Sequence, residues 1–277
     1  MITRTKNKTI GIVGGMGPEA GLNLMQAILN QTPAASDQDH LPVILMSLPG
    51  TITDRTSFLE GQTTINPAYS IAAIVKKLEL AGADVVGLAC NTTYSPEIFN
   101  VILQQLKQMN CNVQLINMPF ETCRFIKENY KNVKRVGLMA TNGTYKFGMY
   151  KSILQNFGYE VVLPDPLFQH NVIHNMIYNP VYGIKANAGS ITQRATLLLE
   201  RALGFFEAEQ TDAVILGCTE LSLLVKSLKV KTLPLIDASE VLALALCKAS
   251  NESTASFFER GINPEQLHQL SFAPAYL

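Results

Sequence analysis

The ten residues Ala83-Asp84-Val85-Val86-Gly87-Leu88-Ala89-Cys90-Asn91-Thr92 are echoed by Thr211-Asp212-Ala213-Val214-Ile215-Leu216-Gly217-Cys218-Thr219-Glu220, with the two cysteines 128 positions apart. An apolar run bounded by an acid on one side and a polar cluster on the other reads as a buried strand leading into a turn. Buried strands share apolar letters as a matter of course. That resemblance alone predicts neither the Asp that opens both runs nor the Cys that closes them. A second echo, Lys8-Thr9-Ile10-Gly11-Ile12-Val13 against Lys134-Arg135-Val136-Gly137-Leu138-Met139, has nearly the same offset. The chain therefore reads as two homologous halves, each ending a strand in a cysteine.

Working outward, short apolar runs at Thr9–Val13, Val43–Leu48, Val85–Ala89, Val113–Ile116, Val136–Met139, Val161–Leu163, Ala213–Leu216 and Leu233–Ile236 read as strands. Helix-period segments lie between most of them: Ala68–Leu80, Pro96–Met109, Tyr145–Phe157, Ile191–Glu207 and Ser239–Lys248. Alternation of this kind predicts an α/β fold, with two pseudo-symmetric lobes that are each a parallel sheet flanked by helices. Residues 1–118 form the expected first lobe and 119–237 the second; the C-terminal segment 238–277 is expected to pack back and complete the first. Ligands of such sheets bind beyond the carboxyl ends of the strands, which places the expected site in the cleft between lobes.

Composition narrows the partners. The 22 Lys+Arg and 22 Asp+Glu leave no net charge, and so no long-range field for a nucleic-acid backbone. No apolar run approaches the length of a membrane span, and the first residues, Met1-Ile2-Thr3-Arg4, lack a signal-peptide core, so a cytoplasmic protein is expected. The five cysteines are scattered without a C-x-x-C pair, against a disulfide framework or zinc cluster. His170 and His174 have the i, i+4 spacing of metal ligands, yet no third ligand or H-E-x-x-H pattern accompanies them, so no metal is expected. Gly15-x-Gly17-x-x-Ala20 fits a dinucleotide fingerprint, but the second strand lacks the terminal acid that binds ribose.

The chemistry converges on the matched cysteines. A strand-to-helix junction offers unpaired backbone N–H groups and a positive dipole end, a setting that favours thiolate. Cys111, Cys123 and Cys247 lie inside strand or helix patterns and read as structural thiols. Two equivalent lobes that each present a thiol to one cleft suit a reaction with the same symmetry, in which a proton leaves one face of a carbon and another returns to the opposite face.

Seven ordered pieces make the reading specific: Gly14-Gly15-Met16-Gly17-Pro18, Asp37-Gln38-Asp39-His40, Thr53-Asp54-Arg55-Thr56, Cys90-Asn91-Thr92, Gly143-Thr144, Gly183-Ile184-Lys185 and Gly217-Cys218-Thr219-Glu220. Together they resemble the aspartate racemase branch of the aspartate/glutamate racemase family. The resemblance implies a cofactor-independent amino-acid racemase, commonly dimeric, acting on a small acidic amino acid. It also implies Cys90 and Cys218 as the catalytic pair, and Arg55 and Lys185 as binders of the substrate's side-chain carboxylate. Asn91, Thr92, Thr144 and Thr219, with the turn at Met16, are then expected to hold the α-carboxylate. Lys185 sits in a Gly-rich stretch that reads as a mobile loop. Many members of the family carry a His a few residues after the first cysteine, where Tyr94 stands here. A glutamate or broader acidic racemase, and a non-catalytic dicarboxylate-binding protein, are the alternatives.

Overall fold

A computed structural model of the chain describes residues 7–187, 190–226 and 233–251. The first half runs β1 (Ile10–Gly14), α1 (Pro18–Gln31), β2 (Val43–Ser47), α2 (Arg55–Leu59), α3 (Ala68–Leu80), β3 (Val85–Leu88), α4 (Pro96–Gln108) and β4 (Gln114–Ile116). The helix α5 (Met118–Asn129) leads into β5 (Arg135–Ala140), α6 (Asn142–Phe147), α7 (Tyr150–Asn156) and β6 (Glu160–Val162). Next come α8 (Pro166–Phe168), a π-helical stretch over Gln169–His174, α9 (Asn175–Tyr178) and α10 (Gln193–Ala208). The described chain closes with β7 (Ala213–Gly217), α11 (Leu221–Lys226), β8 (Leu235–Asp237) and α12 (Ala238–Asn251).

The strands form two four-stranded parallel sheets, ordered β2-β1-β3-β4 and β6-β5-β7-β8. Each order reverses between its central strands, β1 and β3 in one sheet and β5 and β7 in the other. A crevice opens at the carboxyl ends of strands flanking such a reversal. The echoed aspartates explain part of the equivalence. Asp84 Oδ2 accepts from the Thr9 amide at 2.8 Å, and Asp212 Oδ2 accepts from the amides of Lys134 and Arg135 at 2.8 Å each. In both sheets the acid before one central strand ties down the start of the other.

Helix α12 crosses back to the first sheet. Leu242 and Leu246 are fully buried in the core that also holds Ile12 and Leu88. The approach is close enough that a Cβ on Gly87 of β3 would stand 2.8 Å from Leu246 Cδ1. In the opposite sense α5 leaves the first sheet and buries Cys123 and Ile126 with Leu138 and Ile215 of the second. Both crossing helices are capped by the residue after an edge strand's last apolar position: Asn117 Oδ1 accepts from the Phe120 amide at 3.0 Å and Asp237 Oδ1 from the Ser239 amide at 2.9 Å.

All eight expected strands are present, as are the helices expected from 68, 96, 191 and 239, to within a few residues. The expected single helix Tyr145–Phe157 is instead α6 and α7, because the chain turns extended at Gly148, where a Cβ would lie 2.1 Å from the Thr144 carbonyl oxygen. No described helix is long and apolar enough to cross a membrane. The C-terminal tail 252–277 lies outside the described residues.

Candidate active site

Beyond β1 the chain must turn hard, and Gly15 takes φ +85° with Pro49 N only 2.9 Å from where a Cβ would stand. The turn buries Met16 and aims its carbonyl at the cleft. That oxygen accepts from Arg55 Nη2 at 2.7 Å and from Lys185 Nζ at 3.3 Å, so cations from the two halves converge on one atom.

Arg55 opens α2, whose N-cap is Asp54. One Asp54 oxygen accepts from the Ser57 amide at 2.8 Å and the other from the Tyr178 hydroxyl at 2.9 Å, a bond between the halves. Burial alone would push the Asp54 carboxyl up; Arg55, the Ser57 amide and Tyr178 together hold it below the usual range. Burial likewise opposes the Arg55 charge, yet Cys90, Tyr178 and Asp54 around it leave the guanidinium firmly protonated, its pKa raised.

Cys90 follows β3 and precedes a short 3₁₀ turn, Asn91–Tyr94. Tyr150 donates to Asn91 Oδ1 at 2.6 Å, fixing the amide. Thr92 Oγ1 lies 3.0 Å from Thr141 Oγ1 and 2.9 Å from Thr144 Oγ1, a hydroxyl cluster that joins the halves. Cys218 follows β7. Its thiol donates to Glu220 Oε2 at 2.9 Å, and Glu220 Oε1 is ion-paired with Lys185. Burial first, and the Glu220 charge second, raise the Cys218 pKa well above the ordinary thiol value.

From the first half Met16, Arg55, Cys90, Asn91 and Thr92 line one cavity, and from the second Lys185, Cys218 and Thr219 close it. The space between the atoms is about 210 Å³ with its open side included. Thr144 stands one hydrogen bond behind Thr92 rather than on the wall. Two donors, Arg55 Nε and Asn91 Nδ2, are buried without a hydrogen-bond acceptor among the described residues.

Four residues gain a place that the sequence did not assign. Tyr178 and Thr141 line the cavity, as do Gly217 and Glu220, both quoted in the Gly217–Glu220 motif without a role. Lys185 is less free than a mobile loop: its amide donates to the Ile177 carbonyl at 3.1 Å, its ammonium pairs with Glu220, and Tyr178's ring centroid is 5.4 Å away. Tyr94 is fully buried off the cavity wall, its hydroxyl on the Ile116 carbonyl at 2.9 Å and its pKa raised by burial. It packs the core rather than supporting the thiol. The rings of His170 and His174 stack at 5.5 Å beside Asn142, and burial, then His170, lower the His174 pKa to about 4.

Comparison with known proteins places the chain among racemases. The chain is 25% identical over 241 residues to the broad specificity amino-acid racemase RacX of Bacillus subtilis, covering 84% of this chain and 94% of the relative. It is 27% identical over 250 residues to the glutamate racemase of Aquifex pyrophilus, covering 88% and 86%. The aspartate racemase of Picrophilus torridus superposes with a TM-score of 0.70 at 29% identity, over 89% of this chain and 95% of that one. The family model described as Asp/Glu/Hydantoin racemase matches residues 13–246. With that match spanning both sheets and the cleft between them, the chain belongs to the Asp/Glu/hydantoin racemase family.

Proposed function

We propose that the protein interconverts L- and D-aspartate, with Cys90 and Cys218 as the two proton-transferring groups. The observation that carries this reading is that both thiols open onto one small cavity from facing sheets, beside two cations and two unpartnered buried donors. A dicarboxylate supplies the acceptors that such donors need. Arg55 and Lys185 hold the side-chain carboxylate; Asn91, Thr92 and Thr219 hold the α-carboxylate, with Thr144 bracing Thr92. One thiolate takes the α-proton and becomes a thiol. The electron pair left on the α-carbon delocalises into the α-carboxylate, where the fixed donors stabilise it. The opposite thiol then gives its proton to the other face and becomes the thiolate. The two thiols suffice as base and acid, and the reading invokes no cofactor.

The test is racemisation and exchange of the α-hydrogen in deuterated solvent. Cys90→Ala and Cys218→Ala should each abolish racemisation, a loss of at least about a thousandfold given the weight of general acid–base groups. Near wild-type turnover in either variant defeats the two-thiol mechanism, and absence of exchange in the unmodified enzyme points to a binding protein. A glutamate or broad-specificity racemase is the second reading, favoured by the names of the relatives from Aquifex pyrophilus and Bacillus subtilis. A chiral assay over a panel of acidic amino acids separates the two. A homodimer and a cytoplasmic setting complete the proposal; light scattering and cell fractionation check them.

A further inference from the structure

The internal symmetry of the chain breaks at a position that bears directly on the cysteines. Two residues after Cys90 stands Thr92; two residues after Cys218 stands Glu220. Thr92 turns its hydroxyl to Thr141 and Thr144. Glu220 is buried, with 4% of its surface exposed, and its Oε2 accepts from Cys218 Sγ at 2.9 Å and from Thr219 Oγ1 at 3.1 Å. Its Oε1 pairs with Lys185 and lies against Gly17, where a Cβ would come within 3.2 Å. Cys90 stands beside the guanidinium of Arg55 instead. The sulfur of the second half thus has a carboxylate beside it as well as the Lys185 ammonium, whereas the sulfur of the first half has the Arg55 guanidinium.

An ionised carboxylate only accepts hydrogen bonds, so the Cys218–Glu220 contact requires a protonated sulfur. Ionising that sulfur would set two anions within hydrogen-bond distance of each other. Lys185 supplies the charge that keeps Glu220 ionised in spite of its burial, and the carboxyl pKa falls to about 2. The other charged or titratable groups facing this cluster are Tyr178, whose ring is 5.4 Å from Lys185 Nζ, and Arg55, which shares the Met16 carbonyl with Lys185.

We propose that Glu220 is a positioning residue that holds Cys218 as the thiol in the free enzyme, so that the pair rests with Cys90 as base and Cys218 as acid. This rests on the two-thiol reading given above. The resting form accepts the enantiomer whose α-hydrogen faces Cys90. Turnover moves that proton to Cys90 and the Cys218 proton to the product, leaving a Cys218 thiolate beside the Glu220 carboxylate. Return of one proton from Cys90 to Cys218, carried by solvent, restores the resting form. Two enantiomers have equal free energy, so kcat/KM is the same in both directions. The bias therefore appears as a lower KM, matched by a lower kcat, for the enantiomer that meets Cys90.

The test reads thiol ionisation directly, by iodoacetamide modification of the full-length protein across pH, with peptide mapping of each cysteine. In the unmodified protein Cys218 should react only at a pH above that of an ordinary thiol. Glu220→Gln, close in shape and uncharged, removes the anion and leaves Lys185 beside the sulfur. The Cys218 midpoint should then fall by about one unit or more, a rise of about tenfold in its rate below that midpoint. Lys185→Met leaves Glu220 unopposed and should move the midpoint upward. Glu220→Asp, which keeps the charge, should shift it less than Glu220→Gln. Fully buried Cys123 serves as control, because general loosening would raise its rate as well. In turnover, the ratio of KM values for the two enantiomers should move toward one in Glu220→Gln.

A Cys218 midpoint unmoved by Glu220→Gln, or one that Lys185→Met shifts in the same direction, overturns the assignment. If Glu220→Gln does not fold, Glu220→Asp decides: with the carboxylate drawn back from the sulfur the Cys218 midpoint should still fall, and an unmoved midpoint overturns the assignment. Modification is read without substrate. The expected midpoints in a protein that racemises nothing would therefore sink the racemase reading and leave Glu220's hold on Cys218 standing, whereas racemisation with unmoved midpoints would do the reverse.

Discussion

At the scale of single residues, Tyr94 shows how position in sequence and place in space part company. It stands four residues after Cys90, yet its ring is fully buried and its hydroxyl satisfies the Ile116 carbonyl. Tyr94→Phe leaves that acceptor unpaired and should cost about 1–3 kcal/mol in urea unfolding. Turnover at a temperature where the variant is folded should stay unchanged; a tenfold fall in kcat would put the phenol in the chemistry after all. Glu220 gives a pH dependence of definite sign. Its carboxyl falls from the ordinary 4.5 to about 2 in the folded protein, mainly because Lys185 overcomes the cost of burial. Its contribution to stability is complete above the unfolded value and is lost as pH drops from about 4.5 toward 2. Glu220→Gln should flatten the acid limb of a stability–pH curve in that window, and an equally steep limb in the variant would mean other carboxyls set it.

At the scale of elements, the strands were legible because short, mostly apolar runs of three to six residues with polar, Gly or Pro residues beside them give a period and a boundary that need no partner to be read. The helices were legible in part. Helix α1 buries Ala20, Leu24, Ala27 and Ile28 in a helical stripe behind Pro18, but the Gly-rich run before it also fits a nucleotide loop. The break between α6 and α7 has no apolar signal; it follows from the extended backbone at Gly148. Helix α12 shows what packing adds. Its approach to β3 depends on Gly87 having no side chain, with Leu246 in that space. Gly87→Ala should destabilise by about 1–3 kcal/mol through overpacking. Made together with Leu246→Ala, it should cost less than the sum of the two single changes, as judged by a double-mutant cycle in urea. Strict additivity would show that the two atoms do not meet.

At the scale of the whole molecule, the two sheets are joined across the cleft by Lys146 on Glu60 at 2.7 Å, by Tyr178 on Asp54 and by the threonine cluster. On the racemase reading proposed above, these contacts are expected to part and re-form as substrate enters. Tyr178→Phe removes one of them, a hydrogen bond to a charged carboxylate worth about 1.5–3 kcal/mol. It should cost about that much in urea unfolding. An unchanged midpoint in the variant would mean that the bond contributes nothing to holding the two sheets together. The sequence by itself determined the duplicated α/β architecture, the eight strands and the convergence of two cysteines, because each depends on local periodicity and on an echo that survives along the chain. Tertiary structure alone decided that Glu220 faces Cys218 and Lys185, that Tyr178 reaches Asp54, and that Arg55 and Lys185 share one carbonyl. The physical reason is that a charge acquires its role from what lies within a few ångströms of it and from how little water remains there. Residues 35 and 124 positions apart become neighbours only in the fold.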